Sequence, residues 1–484
     1  MPTTKKNPLD SLPDIDYEAF RDSIATVDES GKRRWIHPKK PKGPFHNKRA
    51  VVAVILLSLF FIAPFIEVGG RPLFLFNLLE RKFIIFGLAF WPQDFHLLAL
   101  ALITFFVFIV LFTVVFGRLW CGWACPQTLF MEMVFRKIEY LIDGDRPKQI
   151  KLARQGWTTE KIGKRALKWS IFLVISFIIG NWVMMYLVSK DTLMQMITDG
   201  PAAHPDLFGG TVAFTGIFFF VFAYLREQAC IAICPYGRLQ GVLLGKDSLT
   251  VMYDWVRGEP RERVKKGQER KGGDCIACGV CVQVCPTGID IKDGTQLECV
   301  NCTACMDACD DVMDKVGFEK GLIRMASHSQ IENGVKHFRF TPRIMAYSAV
   351  LVLLMAITGF SIASRENVEA TILRTSGTMT ETNEDGYQSN LYNYHIVNKT
   401  MEEYDLHFRV VSPEGARLKR VGANEPHIEA QGIVKGAFFV ELPPEQVTER
   451  KMKIRVEVFT EVNGEEVILD HVKTGFLGPL TFKK

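Results

Sequence analysis

The sequence predicts a multi-domain membrane protein: an α-helical transmembrane bundle of five spans, a cysteine-rich α+β insert and a C-terminal all-β sandwich. The 484 residues are 48% hydrophobic and 23% charged. These fractions are compatible only if the apolar residues lie in blocks, which excludes a single-domain soluble enzyme. A net charge of +5 is too small to indicate nucleic acid as a partner. All twelve cysteines lie between positions 121 and 309, which indicates metal or redox sites.

Five apolar stretches are long enough to cross a bilayer as helices, which takes about 20 residues. Buried core helices are the alternative, but the charged flanks disfavour it. A sixth apolar run, Phe83 to Trp91, is too short to span, and we expect it to be interfacial or re-entrant. The predicted spans are residues 50–66, 97–116, 167–188, 207–225 and 344–363.

The distribution of Lys and Arg predicts the orientation. Eleven precede the first span, three separate spans one and two, ten lie in residues 117–165, one in 189–206 and seventeen in 226–343. The positive-inside rule therefore places the N-terminus and both long loops in the cytoplasm and the C-terminal region in the periplasm. We expect a multi-pass protein of the bacterial inner membrane, without a cleavable signal peptide. All the cysteines then lie in the reducing compartment.

Two cysteine runs, residues 275–285 and 299–309, share the spacing C-x2-C-x2-C-x3-C. This is the signature of two-cluster ferredoxins, in which the fourth cysteine of each run ligates the other cluster. Zinc, which usually takes two paired knuckles, is the alternative. The sequence therefore predicts a ferredoxin-like module that transfers single electrons. One [4Fe-4S] cluster is assigned to Cys275, Cys278, Cys281 and Cys309, and the other to Cys285, Cys299, Cys302 and Cys305.

Four acidic residues lie close to these runs: Asp274, Asp307, Asp310 and Asp311. Their negative charge should favour the oxidised clusters and lower the reduction potential. A solvated acidic surface is the alternative. Asp310 also stands where this signature usually has proline.

Two further pairs, Cys121/Cys125 and Cys230/Cys234, each precede a proline and follow the second and fourth spans. We interpret them as an internal repeat of two parallel halves. The i, i+4 spacing predicts that both sulfurs lie on one helix face, and the proline predicts a helix end beside the second cysteine. Four converging thiols suit Cu(I). A further iron–sulfur cluster, a dithiol–disulfide cycle and plain buried cysteines stay open.

The chain resembles the CcoG/FixG/RdxA family of cytochrome c oxidase accessory proteins over nearly its full length. The resemblance lies in the basic segment Lys32–Pro38, both CxxxCP elements, the two-cluster module, the last span and the C-terminal domain. The membrane core alone also resembles NapH-type quinol dehydrogenase subunits. The family implies a cupric reductase that supports assembly of cbb3-type oxidase, with Cys121, Cys125, Cys230 and Cys234 as the copper-handling residues. It further implies oxidase assembly factors and a copper-transporting ATPase as partners.

The C-terminal region changes character. Alternation at Tyr404–Val411 and Lys453–Thr460 predicts strands, and Asn463-Gly464 predicts a hairpin turn. Several short strands over about 110 residues suggest a β-sandwich, and the family implies an immunoglobulin-like domain. The predicted domains are a basic tail (1–49), a four-span membrane domain (50–245), a ferredoxin-like domain (246–340), a fifth span (341–364) and the periplasmic immunoglobulin-like domain (365–484).

Three functions compete: a metal reductase, a quinol dehydrogenase-type relay between membrane quinone and a soluble partner, and a non-catalytic copper chaperone or assembly platform. Few polar residues lie between the apolar spans, which disfavours a quinone pocket. No GxGxxG follows a predicted strand, so an internal NAD or FAD domain is not supported and the electron donor stays unknown.

Overall fold

The computed structural model describes residues 26–479 except 28–29, 79–81, 92–93, 264–271, 295, 335–340, 378–379, 384, 401, 423–425 and 463. The chain divides into two compact units. The first comprises Met1–Val68 and Pro72–Thr358, and the second comprises Gly69–Arg71 and Gly359–Lys484. The ferredoxin-like region therefore packs into one unit with the first four spans.

Among the described residues, five helices are long and apolar enough to cross a membrane. Four of them contain a predicted stretch, and the first ends one residue before the predicted end at position 66. Three of them begin before the prediction at a proline, because proline at the first helical position loses no hydrogen bond and has a helical φ. These helical spans are Pro44–Phe65, Phe95–Phe116, Thr159–Val188, Pro205–Leu225 and Pro342–Ala363.

The helices of the first unit include these spans and the short helices that follow them. We number them α1 (Pro44–Ile62), α2 (Phe95–Phe116), α3 (Leu119–Trp123), α4 (Pro126–Leu129), α5 (Arg136–Ile142), α6 (Arg146–Arg154), α7 (Thr159–Val188), α8 (Lys190–Asp199), α9 (Pro205–Phe220), α10 (Pro235–Leu243), α11 (Trp255–Gly258), α12 (Val280–Val284), α13 (Ala304–Val316), α14 (His328–Glu332) and α15 (Pro342–Ala363, which runs into the second unit).

Three π-helical segments lie near the cysteine pairs: Phe130–Phe135, Val221–Leu225 and Ala229–Ile233. Such segments are rare and often occur at functional sites. Aromatic side chains hold the membrane half together beside them, because Phe135 stacks on Phe222 at 4.5 Å between ring centroids and meets Phe172 edge-on at 4.7 Å. All three rings are buried.

The ferredoxin-like region is tied to the spans by hydrogen bonds at two places. Leu249 N–H donates to the Val115 carbonyl (2.9 Å), at the end of α2. Asp307, on α13, accepts from the backbone N–H groups of Phe45 (3.0 Å) and His46 (2.7 Å), in the first turn of α1. A carboxylate at this place satisfies N–H groups that have no partner within the helix and complements the helix dipole.

The run Phe83–Trp91 folds as part of a small antiparallel sheet rather than as a helix. Phe86 and Gly87 form the turn with positive φ angles of 53° and 76°. The strands of the first unit are β3 (Phe74–Asn77), β4 (Lys82–Ile85) and β5 (Leu88–Phe90) in this sheet, and β6 (Thr250–Tyr253) paired with β7 (Ile323–Ala326) beside the cysteine runs; β1 (Glu67–Val68) and β2 (Arg71–Pro72) precede them.

The second unit is all-β. Its strands are β8 (Val368–Arg374), β9 (Glu381–Thr382), β10 (Gln388–Asn398), β11 (Tyr404–Asp405), β12 (His407–Ser412), β13 (Arg417–Arg420), β14 (His427–Ile428), β15 (Ile433–Leu442), β16 (Lys451–Val462) and β17 (Glu465–Leu477). One sheet has the order β13-β15-β10-β8, with β9 on β10, the other β12-β16-β17, and β11 pairs with β14.

The strands and the hairpin that the sequence predicts for this unit are confirmed. Strand β16 covers Lys453–Thr460 and pairs with β17 across the predicted hairpin, although Asn463 lies outside the described residues. Strands β11 and β12 lie at Tyr404–Val411, where alternation predicts strands, and they pair with different partners. Leu406, which is fully buried, is the one residue between β11 and β12.

Candidate metal-binding site

The eight cysteines of the two runs line two small cavities, four predicted ligands to each. Cys275, Cys278, Cys281 and Cys309 line one cavity, with Tyr253 and Met313. Cys285, Cys299, Cys302 and Cys305 line the other, which also touches Cys281. The fourth cysteine of each run thus faces the cavity of the other run, as the ferredoxin spacing predicts.

The two cysteine loops have the same backbone conformation at equivalent positions. Ala277 (φ 51°) and Gly279 (φ 69°) in the first run correspond to Asn301 (φ 52°) and Thr303 (φ 63°) in the second. Alternation of left-handed and right-handed residues turns successive N–H groups inward into a concavity that favours anions, including iron–sulfur clusters with their thiolates. Non-glycine residues pay for this conformation, so the repeated strain points to a shared ligand geometry.

The thiols that surround the cavities are buried and hold their protons tightly. Burial raises the pKa of Cys281, Cys299 and Cys309 to about 12 and that of Cys302 to about 11, and neighbouring charges, including other thiolates, contribute. Binding of metal must therefore displace these protons, so that metal affinity depends on pH. All twelve cysteines are free thiols.

The donor set fits clusters better than single ions. Within the part of the chain that the structure describes, no three His, Cys, Asp or Glu side chains form a group that could hold one metal ion. The cysteines instead stand around two cavities, with four soft sulfur donors each, which is the donor set of [4Fe-4S] centres.

The acidic residues near the runs have structural partners. Asp307 is buried and caps α1, as described above, so it is not part of a solvated acidic surface. Asp274 pairs with Arg257, and Asp310 accepts from the Gly321 N–H at 2.9 Å. Asp311 pairs with Lys315 on the exposed side of α13.

The two CxxxCP pairs are brought together by the membrane half. The thiols of Cys121, Cys125 and Cys234 lie close enough for their charges to act on Cys230, whose pKa rises to about 12, mainly through burial. The helix end predicted at each proline is confirmed, since Cys125 and Cys234 are extended and immediately precede α4 and α10.

The predicted common helix face is wrong in detail. Cys121 lies in α3 and Cys230 in a π-helical segment, whereas their partners lie beyond the helical turn. The pocket is therefore built by two helix breaks rather than by two continuous helices.

The first CxxxCP loop packs directly on the second cysteine loop of the ferredoxin-like region. A Cβ atom added to Gly122 would lie 2.3 Å from the Val300 carbonyl oxygen, so only glycine fits there. The neighbouring Trp123 donates its Nε1–H to the Asn301 carbonyl at 3.2 Å. Arg49, from the first span, donates to the Gly122 carbonyl at 2.6 Å. The two groups of cysteines are thus in backbone contact.

The Arg118 guanidinium acts on both the thiol pocket and the second cysteine loop of the ferredoxin-like region. Arg118 donates to the Gln240 Oε1 atom (2.9 Å), which also accepts from the Cys121 thiol (3.2 Å). The Arg118 charge lowers the pKa of both Cys121 and Cys299, although burial raises each of them more. One cation therefore favours negative charge on both sides of the contact.

Sequence reasoning missed a buried network of charges between the spans. Arg136 is 1% exposed and pairs with Glu132 (3.0 Å) and Glu227 (3.6 Å). Burial would raise the pKa of Glu139, but Arg226 and other nearby cations lower it to about 2. The sequence signal was the pair Glu132 and Arg136 at i, i+4.

The network borders a cavity, so the expectation that few polar groups lie between the apolar spans is corrected. The cavity measures about 650 Å³ and its lining includes Glu139, Asp143, Lys168 and Arg226. Lys168 lies inside the third span, one residue after the start of the predicted stretch, and the other three residues lie outside the predicted spans.

Three family models match the chain. A 4Fe-4S dicluster domain matches residues 225–328, a 4Fe-4S binding domain matches 98–148, and an Ig-like fold found at the C-terminus of FixG matches 358–479. With the five apolar helices, these matches define a membrane-bound iron–sulfur electron-transfer protein.

Named relatives narrow the class. Protein RdxB of Cereibacter sphaeroides is 34% identical over 84% of this chain and 90% of its own length. Nitrogen fixation protein FixG of Rhizobium meliloti is 32% identical over 81% of this chain and 82% of its own. Protein RdxA of C. sphaeroides is 39% identical over 60% of this chain, and the matched part spans 61% of RdxA. The chain belongs to the FixG/CcoG/RdxA family.

Proposed function

We propose that this protein is a cupric reductase of the bacterial inner membrane, which reduces Cu(II) to Cu(I) for assembly of cbb3-type cytochrome c oxidase. The observation that carries the proposal is the backbone contact of Gly122 with Val300. It joins a pocket of four thiols to a loop with three of the predicted iron–sulfur ligands.

The cysteine assignment follows the two cavities. Cys275, Cys278, Cys281 and Cys309 would hold one [4Fe-4S] cluster, and Cys285, Cys299, Cys302 and Cys305 the other. When bound there, the clusters supply electrons one at a time. The left-handed loop residues direct backbone N–H groups toward the negative charge of this group.

Copper is the substrate, and the thiol pocket provides the chemistry that favours its reduction. Each Cu(II) takes up one electron and becomes Cu(I). Thiolate ligands are soft and stabilise Cu(I) relative to Cu(II). Cys121, Cys125, Cys230 and Cys234 are the candidate ligands, and two of them at a time would bind the ion, because no three described side chains are placed to share one. Arg118 compensates part of the thiolate charge.

The test is anaerobic stopped flow on the full chain in detergent. The clusters are reduced with dithionite, the excess is removed, and the protein is mixed with Cu(II) and a Cu(I)-specific chelator. We expect Cu(I) to appear as the cluster absorbance recovers, and replacement of the four pocket cysteines by alanine to abolish it. Met194→Ala, an exposed sulfur side chain on α8, is the control. Clusters that stay reduced beside Cu(II) would refute the reductase and favour a chaperone or assembly platform.

A further iron–sulfur centre in the thiol pocket is the second candidate. It is favoured by the match of a 4Fe-4S binding domain to residues 98–148, which contain Cys121 and Cys125. Iron analysis separates the two: if the pocket holds iron, the four alanine substitutions lower the iron content per chain. If it holds copper only, the iron content is unchanged.

The orientation and partners belong to the same proposal. The Lys and Arg distribution supports a cytoplasmic ferredoxin-like domain (246–340) and a periplasmic C-terminal domain (365–484). Oxidase assembly factors and a copper-transporting ATPase would then receive Cu(I). Protease treatment of spheroplasts should remove the C-terminal domain and leave the cysteine runs intact.

A further inference from the structure

A cavity of about 650 Å³ lies where α7 and the end of the fourth span meet the basic segment before the first span. Arg165 and Phe172 both line it, and they lie seven residues apart on α7, which is about 10 Å along the helix axis. The cavity therefore runs from the charged start of α7 into its apolar part. Its volume lies within the roughly 300–1,000 Å³ of small-molecule sites.

One cation of the cavity wall has no carboxylate partner. Lys168 Nζ lies 2.6 Å from Asp143 Oδ2, and Arg226 pairs with Glu139. No carboxylate pairs with Arg165 in the part of the chain that the structure describes. The lining thus holds three cations and two carboxylates, which leaves one positive charge uncompensated. An anion that enters the cavity meets this charge at the start of α7.

The Arg165 guanidinium is placed to bind phosphate oxygens. It lies over the Trp157 ring, with 5.1 Å between its central carbon and the ring centroid. A cation–π contact of this kind fixes the position of the guanidinium but does not use its N–H donors. These donors therefore remain able to bind two phosphate oxygens in the bidentate manner that arginine favours.

The charge of the wall favours a phosphate diester over a monoester. A diester carries one negative charge, which equals the excess positive charge of the wall, whereas a monoester carries about two near pH 7. Glu139 and Asp143 lie in the same wall and repel the second charge. His37, also in the lining, adds no positive charge near pH 7, because burial lowers its pKa.

The rest of the wall is largely aromatic. Phe172 is buried, and four further rings of the lining are exposed: Trp35, Trp169, Phe220 and Tyr224. Tryptophan and tyrosine are enriched where the hydrocarbon of a membrane meets the lipid headgroups. A small water-soluble phosphate would leave these rings in contact with water. An acyl chain would cover them, which adds hydrophobic stabilisation.

We propose that the cavity binds an anionic phospholipid with a single phosphodiester, such as phosphatidylglycerol. The phosphate would bind Arg165, and the first part of an acyl chain would lie along the aromatic wall. Phosphatidylcholine contains the same diester, but its own ammonium group cancels the negative charge. Basic pockets between spans on the cytoplasmic side of membrane proteins bind anionic headgroups. The Lys and Arg distribution favours that side for this end of the third and fourth spans.

A lipid in this cavity would hold the basic segment against the end of the fourth span. Trp35 lines the cavity, and the Arg33 guanidinium carbon lies 3.9 Å from the centre of its ring. Arg33 also donates to the Leu225 carbonyl at 3.2 Å. Two residues further on, the Glu227 carbonyl accepts from the Cys230 N–H at 3.2 Å. The lipid would thus stabilise the segment that continues into the thiol pocket.

Native mass spectrometry of the full chain in detergent tests the proposal. Delipidated protein is titrated with phosphatidylglycerol and, separately, with phosphatidylcholine that has the same acyl chains. We expect phosphatidylglycerol to bind the more tightly. Arg165→Gln should weaken its binding by about tenfold or more, because a hydrogen bond to a charged group is lost. The same substitution should remove the preference over phosphatidylcholine.

Two further variants and one soluble probe separate the contributions. Arg238→Gln changes an exposed arginine of α10 outside the cavity lining, and it should bind phosphatidylglycerol as the unchanged protein does. Trp169→Ala keeps every charge and should weaken the binding of both lipids. Glycerophosphoglycerol is the phosphatidylglycerol headgroup without acyl chains. We expect it not to displace the lipid at equal concentration.

Equal affinity for the two lipids, or phosphatidylglycerol binding that is unchanged in Arg165→Gln, would overturn the proposal. An equal loss in Arg238→Gln and Arg165→Gln would also overturn it, since the lipid would then be attracted by surface charge in general. Displacement by glycerophosphoglycerol at equal concentration would assign the cavity to a soluble phosphodiester instead. Circular dichroism of each lipid-free variant shows whether it is folded, and none of these measurements depends on copper.

Discussion

Replacement of Gly122 by alanine tests the contact on which the electron route depends. The new Cβ would lie 2.3 Å from the Val300 carbonyl oxygen and 3.0 Å from the Asn301 carbonyl carbon, whereas ordinary contact begins at 3.4 Å. Both neighbours are backbone atoms, so the two loops must separate by about 1 Å. The hydrogen bond from Trp123 to Asn301 would be lost or stretched. Overpacking of this kind costs about 1–3 kcal/mol.

The expected result is slow copper reduction by a protein that keeps its clusters. A misplacement of 1 Å near reacting groups can cost on the order of 100-fold in rate. We therefore expect the rate of Cu(I) formation from dithionite-reduced protein to fall by about 10- to 100-fold, with iron content unchanged. Gly163→Ala, on an open face of α7 with no atom near the added Cβ, is the control. An unchanged rate in Gly122→Ala at full iron content would refute the route through this contact.

Three further substitutions test other parts of the structure. The methyl group added by Gly279→Ala meets no neighbouring atom, but the alanine must keep a φ of 69°. The substitution should therefore lower the stability by about 1–2 kcal/mol and lower the temperature at which cluster absorbance is lost. An unchanged temperature would argue against the left-handed loop. Arg136→Met removes the cation that pairs with the partly buried Glu132 and with the buried Glu227, which keeps Arg226 at 3.7 Å. The loss should cost on the order of 3 kcal/mol and reduce the folded yield in membranes, and a normal yield would contradict the network. Tyr392→Phe removes the hydrogen bond to the Gly475 carbonyl (2.8 Å), so the free energy of unfolding of the C-terminal unit should fall by about 1 kcal/mol. Calorimetry would record this as a lower transition temperature, and an unchanged temperature would show that water replaces the hydroxyl.

The spans and the cysteine runs could be predicted because their signals are local. An apolar stretch of about 20 residues can be stable in a bilayer only with its backbone groups paired internally, so composition alone indicates a helix. The ligand runs are similar, because a fixed spacing of thiols is needed to wrap a cluster. The left-handed residues Asn301 and Thr303 carried a weaker signal. Asparagine is enriched at positive φ, but a β-branched residue such as threonine rarely adopts it.

Local signals were misleading where packing decides. The alternation at Tyr404–Val411 predicts strands, but it does not indicate that β11 and β12 pair with different strands on either side of the buried Leu406. Asp307 lies among other acidic residues in the sequence, as residues of a solvated acidic surface do. It is nevertheless buried, because α1 begins beside it and offers two N–H donors. In each case a partner distant in sequence determines the outcome.

The sequence by itself determined the membrane spans, the eight-cysteine ferredoxin-like pattern and the repeated CxxxCP elements, because each depends on neighbours along the chain. Only the tertiary structure decided that Gly122 lies on Val300, that Arg118 joins Cys121 to Gln240, and that His37 and Asp143 border one cavity. These relations join residues more than 100 positions apart. Contact across such distances is set by how helices pack and which charges pair, and no spacing rule along the chain encodes it.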